Sequence, residues 1–226
     1  MINGRLNSLK SEVICTKSNI ATLQETHCRR KGKIQIPNFV AFEAIRTKKG
    51  GGTLIAVHDD LNPKLIEEHS TEFELLVVEI QTKEKDFRII SGYGPQENLD
   101  EEKRLPFFLA LETEIEKAEL TGKSIIIEMD ANSKLGEKYV QNDPYKMSSN
   151  GALLAGIINR HALFVANGSD KIQGTITRRR AMRERVEESV INLVLFSNDM
   201  KQHFVSFKVD EEKKHWLKRI QKTKMV

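Results

Sequence analysis

Ser124-Ile125-Ile126-Ile127-Glu128-Met129-Asp130-Ala131-Asn132 is an apolar run that ends on polar side chains. Three consecutive isoleucines in so short a segment fit a strand buried on both faces, the setting of a central strand with a layer on each side. In extended geometry residues i and i+2 point to one side, so Asp130 and Asn132 face a common site at the strand's end. A carboxylate there can orient and deprotonate water, and an amide can donate to a developing negative oxygen. The same residues also suit an Asx-rich turn that closes a strand. The buried strand ahead of them favours the chemical reading.

Working outward, Asp100 to Leu120 has helical spacing, with Leu105, Phe108, Leu111, Ile115 and Ala118 on one face, and Thr121-Gly122 stops it. Before it, Leu75 to Ile80 and Phe87 to Ser91 flank Thr82-Lys-Glu-Lys-Asp86 as a hairpin. Val40 to Ala44 and Thr53 to Val57 flank Arg46-Thr-Lys-Lys-Gly-Gly-Gly52, a second hairpin with a flexible basic tip. Ser8 to Thr16 suits a helix leading into a buried strand, Ile20 to Gln24. Downstream, Asn150 to His161 reads as a helix and Leu163 to Val165 as a strand. Ser189 to Phe196 and Phe204 to Val209 read as late strands, the former central and carrying one polar residue, Asn192. Many strands with helices set between hairpins predict an α/β architecture, a two-layer β-sandwich flanked by helices. No repeat, low-complexity tract or Pro/Gly/Ser linker divides the chain, so one domain over residues 1–226 is expected.

The chain has 226 residues and a net charge of +4, and its basic residues are unevenly placed. Arg29 to Gly50 carries Arg29, Arg30, Lys31, Lys33, Arg46, Lys48 and Lys49 against Glu43. Thr177 to Arg185 carries five arginines against Glu184, whereas Glu97 to Glu119 is acidic. Basic loops opposite an acidic helix would polarise the molecule and suit a phosphate backbone; ordinary solvated loops are the alternative reading. Cys15 and Cys28 form no close pair, and His27 beside Cys28 completes no zinc pattern, which fits reduced thiols in an intracellular protein. No apolar run is long enough to cross a bilayer and no signal peptide opens the chain, so no membrane partner is expected.

Three further polar clusters stand at the ends of predicted strands. Leu23-Gln-Glu-Thr-His27 runs an apolar strand into Glu25, a carboxylate able to hold a hard cation such as Mg²⁺, which keeps most of its waters. Gly92-Tyr-Gly-Pro95 presents Tyr93 on a fixed turn, where a phenol can donate to a phosphate oxygen or simply pack. Lys213-Lys-His-Trp216 places His215 in a basic setting.

Taken in order, these clusters give the chain its likeness. The sequence resembles the endonuclease/exonuclease/phosphatase superfamily, which includes deoxyribonuclease I, and within it the nuclease domain of non-LTR retrotransposons. The likeness rests on Asn3-Gly4, Gln24-Glu25-Thr26, Gly51-Gly52-Thr53, Tyr93-Gly94-Pro95, Asp130-Ala131-Asn132 and Ser189-Val-Ile-Asn192, and it spans almost the whole chain. The resemblance implies a deoxyribonuclease I-like sandwich and hydrolysis of a phosphodiester in DNA, leaving a 3′-hydroxyl that primes reverse transcription. It implies Glu25 and Asn3 as metal-binding residues for Mg²⁺, or Mn²⁺ in its place. It also implies that Tyr93 contacts the scissile phosphate, Asp130 orients the attacking water, Asn132 steadies the phosphate and His215 binds its oxygens. Arg46, Lys48, Lys49, Thr177, Arg178, Arg179 and Arg180 are then the expected nucleic-acid contacts, a reverse transcriptase the expected neighbour in a full polyprotein, and the nucleus the expected location.

The sequence departs from the family at three places. Met1 stands where the opening strand carries an asparagine, so a truncated first strand is expected. Asn192 stands where the family has an aspartate that pairs with the late histidine, and the amide keeps the shape without the charge that stabilises imidazolium. Lys213-Lys-His215 stands in place of Ser-Asp-His. Two other readings follow: a non-catalytic nucleic-acid-binding remnant, and a phosphatase of the same fold.

Overall fold

A computed structural model describes residues 18–28, 30–32, 34–45, 51–181, 186–209 and 222–225. The expected helix over Ser8 to Thr16, the expected truncated opening strand, and the site candidates Asn3, Arg46, Lys48, Lys49 and His215 lie outside the described residues.

In chain order the first seven strands are β1 (Ile20–Gln24), β2 (Phe39–Ala44), β3 (Thr53–His58), β4 (Lys64–His69), β5 (Glu74–Gln81), β6 (Asp86–Tyr93) and β7 (Ser124–Asp130). The rest are β8 (Phe164–Val165), β9 (Ile172–Gln173), β10 (Arg178–Ala181), β11 (Val186–Ser189), β12 (Asn192–Phe196), β13 (Phe204–Lys208) and β14 (Lys222–Met225). Two α-helices, α1 (Glu101–Leu120) and α2 (Ser149–Arg160), interrupt them. One large sheet has the order β4-β5-β6-β7-β12-β8, and a second has the order β1-β3-β2. A third, β14-β13-β9, and the hairpin β10-β11 complete the described strands.

The side-chain alternation of the strands builds the layers. Along β5, Leu75 and Val77 point to one face, where they pack with Phe107, Leu111 and Ile115 of α1 and Leu154 and Ile158 of α2. Leu76, Val78 and Ile80 point to the other face and meet Ala44, Ile55 and Val57 of the three-stranded sheet. The same division runs through β7, with Ile125, Ile127 and Met129 under the helices and Ile126 toward β13. Both faces of the central strands are therefore covered, as the isoleucine run predicts. The architecture is the expected α/β sandwich flanked by helices.

Strand β6 runs parallel to β7, with α1 as the crossover between them. Two parallel strands end at the same rim of the sheet, and the loops after them meet there. The strand predicted as Ser189 to Phe196 is divided: β11 ends at Ser189, Val190 and Ile191 cross between sheets, and β12 begins at Asn192. The Thr177 hydroxyl accepts hydrogen bonds from the Ile191 and Asn192 amides, at 2.8 and 3.0 Å, in place of a strand partner. Edge strand β4 is half-exposed and has a register shift between Leu65 and Glu67, so it lacks the alternation that marks its neighbours.

Candidate active site

At the rim where β6 and β7 end, Tyr93 and Asp130 are register partners, and Asn192 at the start of β12 is partner to Asp130 on its other side. Three strands thus set three polar residues in a row. Glu25 follows directly after β1 in the opposing sheet. The Tyr93 phenol donates to Glu25 Oε1 at 2.8 Å and bridges the two sheets. Tyr93 also hydrogen-bonds the Asn132 side chain and feels the charge of Asp130. Burial, followed by the Glu25 carboxylate, pushes its pKa up to about 12, so the phenol remains a proton donor.

The backbone around Glu25 is held rather than free. Glu25 and His27 have φ of 54° and 52°, in the left-handed region that costs a residue with a Cβ of order 1 kcal/mol or more. The amides of Thr26 and His27 donate to the carbonyls of Gly52 and Gly51, at 3.0 and 2.8 Å, and so lock the turn to the start of β3. Gly52 is required here: a Cβ on it would lie 2.4 Å from the Thr26 hydroxyl oxygen. Its amide donates to Glu74 Oε2 at 2.6 Å.

Across the rim, Gly94 N donates to the Asp130 carbonyl at 2.7 Å, and the Asn132 amide donates to the Gly94 carbonyl at 2.8 Å. Asn132 has φ of 43°, a conformation that asparagine tolerates better than most residues. A Cβ on Gly94 would meet the Ala131 carbonyl oxygen at 2.3 Å, so the two turns touch backbone to backbone.

One residue without a site role in the sequence reading holds this contact. Asn150 is fully buried near the start of α2. Its Nδ2 donates to the carbonyls of Pro95 and Asn132, at 2.7 and 3.3 Å, and its Oδ1 accepts from Arg104 Nη1 at 2.8 Å. It joins the turn after Tyr93 to the turn after Asp130. No local sequence signal marks it, because every partner lies on another element.

Beneath the rim is a polar layer between the sheets. Thr22 Oγ1 donates to Glu128 Oε2 at 2.8 Å, and Gln24 Nε2 donates to Ser91 Oγ at 3.0 Å and to the Glu128 carbonyl at 3.3 Å. Ser91 and Thr53 share a hydroxyl–hydroxyl bond of 2.9 Å.

Solved structures share this arrangement of layers. The endonuclease domain of TRAS1, a telomere-specific non-LTR retrotransposon, superposes with a TM-score of 0.69 at 19% identity, over 96% of this chain and 90% of that one. The catalytic domain of Xenopus laevis APE2 gives a TM-score of 0.74 at 16% identity, over 96% and 86%. A mannosyl-6-phosphatase from Bacteroides thetaiotaomicron gives 0.64 at 12% identity, over 100% and 91%. The chain has the deoxyribonuclease I-like fold. No protein-family model and no curated protein matches the sequence.

In this deoxyribonuclease I-like frame the residues expected at the site divide into three groups. Glu25, Tyr93, Asp130, Asn132 and Asn192 are brought to one rim. Asn3, His215, Arg46, Lys48 and Lys49 lie outside the described residues. Thr177 directly precedes β10, and Arg178 to Arg180 lie on β10 of the hairpin β10-β11. Thr177 is 5% exposed and its hydroxyl receives two backbone amides, so it fixes the chain ahead of Asn192 from inside the wall. One of these arginines is countered: Arg179 Nε pairs with Glu188 at 2.6 Å.

The donor set at Glu25 fits a hard divalent cation. The carboxylate is a quarter exposed, with Oε2 4.0 Å from His27 Nε2 and Oε1 on the Tyr93 phenol. Mg²⁺ is usually held by one or two carboxylates plus water and substrate oxygens, and Glu25 supplies such a carboxylate. Among the described residues, groups of three or more close metal-capable side chains occur elsewhere, at His58, Asp59 and Asp60 and at Glu112, Glu116 and His161. Among the described residues no group of three such side chains includes Glu25, as a dehydrated, all-protein cage of the zinc type would require.

Proposed function

We propose that this protein is a metal-dependent phosphodiesterase, an endonuclease that nicks DNA and leaves a 3′-hydroxyl for target-primed reverse transcription. One observation carries the reading: Glu25, Tyr93, Asp130 and Asn132, from the ends of three separate strands, meet at one rim through the Tyr93 phenol. The match to a retrotransposon endonuclease domain supports the substrate class, and the match to a sugar phosphatase shows why fold alone does not fix it.

Each residue has a part. Asp130 is 1% exposed at the end of a rigid central strand, where it orients water and takes its proton. The Tyr93 hydroxyl, donated to Glu25 in this structure, turns to a phosphate oxygen when substrate enters. The Asn132 amide donates to the same group as charge develops. A divalent cation on Glu25 supplies charge neutralisation at the phosphate and leaving oxygen. The chain needs no covalent nucleophile, because positioning and charge suffice for this reaction class.

The test is nicking of supercoiled plasmid with Mg²⁺ or EDTA, beside Glu25→Ala and Asp130→Ala. Open-circle product that requires Mg²⁺ and falls by about 100-fold or more in both variants is expected. Nicking that survives both substitutions would place the chemistry elsewhere. Salt-sensitive DNA binding without nicking by folded protein would instead identify a binding remnant.

A further inference from the structure

The register row at the rim begins one strand before Tyr93: Glu74 at the head of β5 is paired with Tyr93, which is paired with Asp130. Glu74 has the parity of Leu76 and Val78, so its side chain faces the three-stranded sheet, and it is 1% exposed. Its Oε2 accepts from the Gly52 amide at 2.6 Å. The carbonyls of Gly52 and Gly51 accept in turn from the amides of Thr26 and His27, the two residues that follow Glu25. The Glu25 carboxylate returns to the Tyr93 phenol. Two paired residues of β5 and β6 therefore grip the Glu25 turn from two sides, Tyr93 at its carboxylate and Glu74 through the backbone behind it. We propose that Glu74 is a positioning residue for the metal-binding carboxylate: its reach to the Gly52 amide fixes where Glu25 presents its oxygens to a divalent cation. The proposal rests on the reading of Glu25 as the metal-binding residue of a phosphodiesterase rim.

The turn needs such a hold. With φ of 54° at Glu25 and 52° at His27, the backbone gains by relaxing, and relaxation would swing the carboxylate away. The hydrogen bonds to Gly51 and Gly52 tie the turn to the start of β3, and the Thr53 hydroxyl adds a bond to the Leu23 carbonyl at 3.1 Å. The bond from Gly52 to Glu74 anchors these glycines in turn to the sheet that carries Tyr93 and Asp130. Side chains that orient a metal-binding group from behind govern affinity nearly as strongly as the group itself. Glu74 also adds negative charge to a rim that holds Glu25 and Asp130, with Glu128 one step below Asp130 on β7, and a cation feels that charge whatever the reach of the side chain. Two substitutions separate reach from charge. Glu74→Gln keeps an oxygen at the same reach and loses the charge, whereas Glu74→Asp keeps the charge and falls one methylene short of the Gly52 amide.

The test is Mn²⁺ binding to the DNA-free protein, followed by electron paramagnetic resonance of the free ion, with Glu25→Ala beside both variants. Glu74→Asp is expected to raise the Kd for Mn²⁺ by about tenfold or more, and Glu74→Gln to stay within about twofold of the wild type. In plasmid nicking, Glu74→Asp should need correspondingly more Mg²⁺ for its half-maximal rate and recover the wild-type rate at saturating Mg²⁺, a split that general loss of folding does not give. Binding weakened as much in Glu74→Gln as in Glu74→Asp, or more, would assign the effect to charge and overturn the proposal. So would binding unchanged in both variants while Glu25→Ala loses it. Mn²⁺ binding that survives Glu25→Ala would remove Glu25 from the metal site and overturn both readings together. If the protein binds Mn²⁺ through Glu25 and nicks no DNA, the phosphodiesterase reading alone fails, and the comparison of Kd values still decides the role of Glu74.

Discussion

Asn192 stands in the row Tyr93, Asp130, Asn192 where the likeness to retrotransposon nucleases calls for an aspartate. Its backbone is firmly held: the amide donates to the Thr177 hydroxyl at 3.0 Å, and its carbonyl accepts from Asn167 Nδ2 at 3.1 Å. Asn167 also accepts from the Val194 amide at 2.9 Å, so a fully buried side chain takes the place of a strand along part of β12. A substitution at Asn192 therefore changes charge on an unchanged frame. Replacing a charge-stabilising aspartate by asparagine costs orders of magnitude in triad enzymes. Asn192→Asp is expected to raise the plasmid-nicking rate by about tenfold or more. A rate that is unchanged or lower would show that the rim works without a carboxylate at this position.

Helix α2 contributes to the site through its start alone. Ser148 caps it by accepting from the Gly151 amide at 3.2 Å, and Asn150 then turns inward to the two functional turns. Sequence periodicity gives the helix, Asn150 to His161 as read and Ser149–Arg160 as found, but treats Asn150 as its edge. Its role depends on Pro95, 55 residues away in sequence, and Arg104, 46 away, which no local pattern encodes. Asn150→Ala leaves the Pro95 carbonyl and the Arg104 guanidinium without this partner in a buried setting. The expected cost is about 2–3 kcal/mol in urea unfolding, with nicking lowered about tenfold or more through misplacement of Asn132. Full activity in the variant would show that the turns are held by Gly94 and Ala131 alone.

At the scale of the molecule, the layers are tied by a buried charge cluster at the end of the sheet away from the site. Arg88 of β6 pairs with Glu79 of β5 at 2.5 Å and with Glu114 of α1 at 3.1 Å, with a side-chain exposure of 6%. Lys123 also reaches Glu79, and Lys117 reaches Glu114 at 2.5 Å. The arginine and lysine charges hold Glu79 below the ordinary carboxylate range in spite of its burial. Removing one partner of such a cluster strands the others, at a cost of about 3 kcal/mol or more. Arg88→Ala should lower the urea midpoint accordingly and leave the Mg²⁺ dependence of nicking unchanged, because the cluster and the rim sit at opposite ends of β6. A change in Mg²⁺ dependence would mean that the sheet transmits strain along its length.

The order of strands and helices was legible because it rests on short-range repetition. Strand β1 occupies the predicted Ile20 to Gln24, although all five of its residues are half-buried where a buried strand was expected, and α1 fills the predicted acidic helix, since burial of one helical face must recur at a fixed period. Glu25, Tyr93, Asp130 and Asn132 were legible as polar residues that end apolar strands. The closing of Tyr93 on Glu25, the anchoring of the turns by Asn150, the engagement of Thr177 and the split of the late strand at Val190 and Ile191 belong to the tertiary structure. Each is a hydrogen bond between a side chain and a distant group, from 14 residues for Thr177 to 68 for Tyr93. Such a bond fixes position in space and leaves no period in the sequence. The charge of the arginine-rich stretch shows the same division: composition gave its sign, and the pairing of β10 with β11 decided that Arg179 meets Glu188.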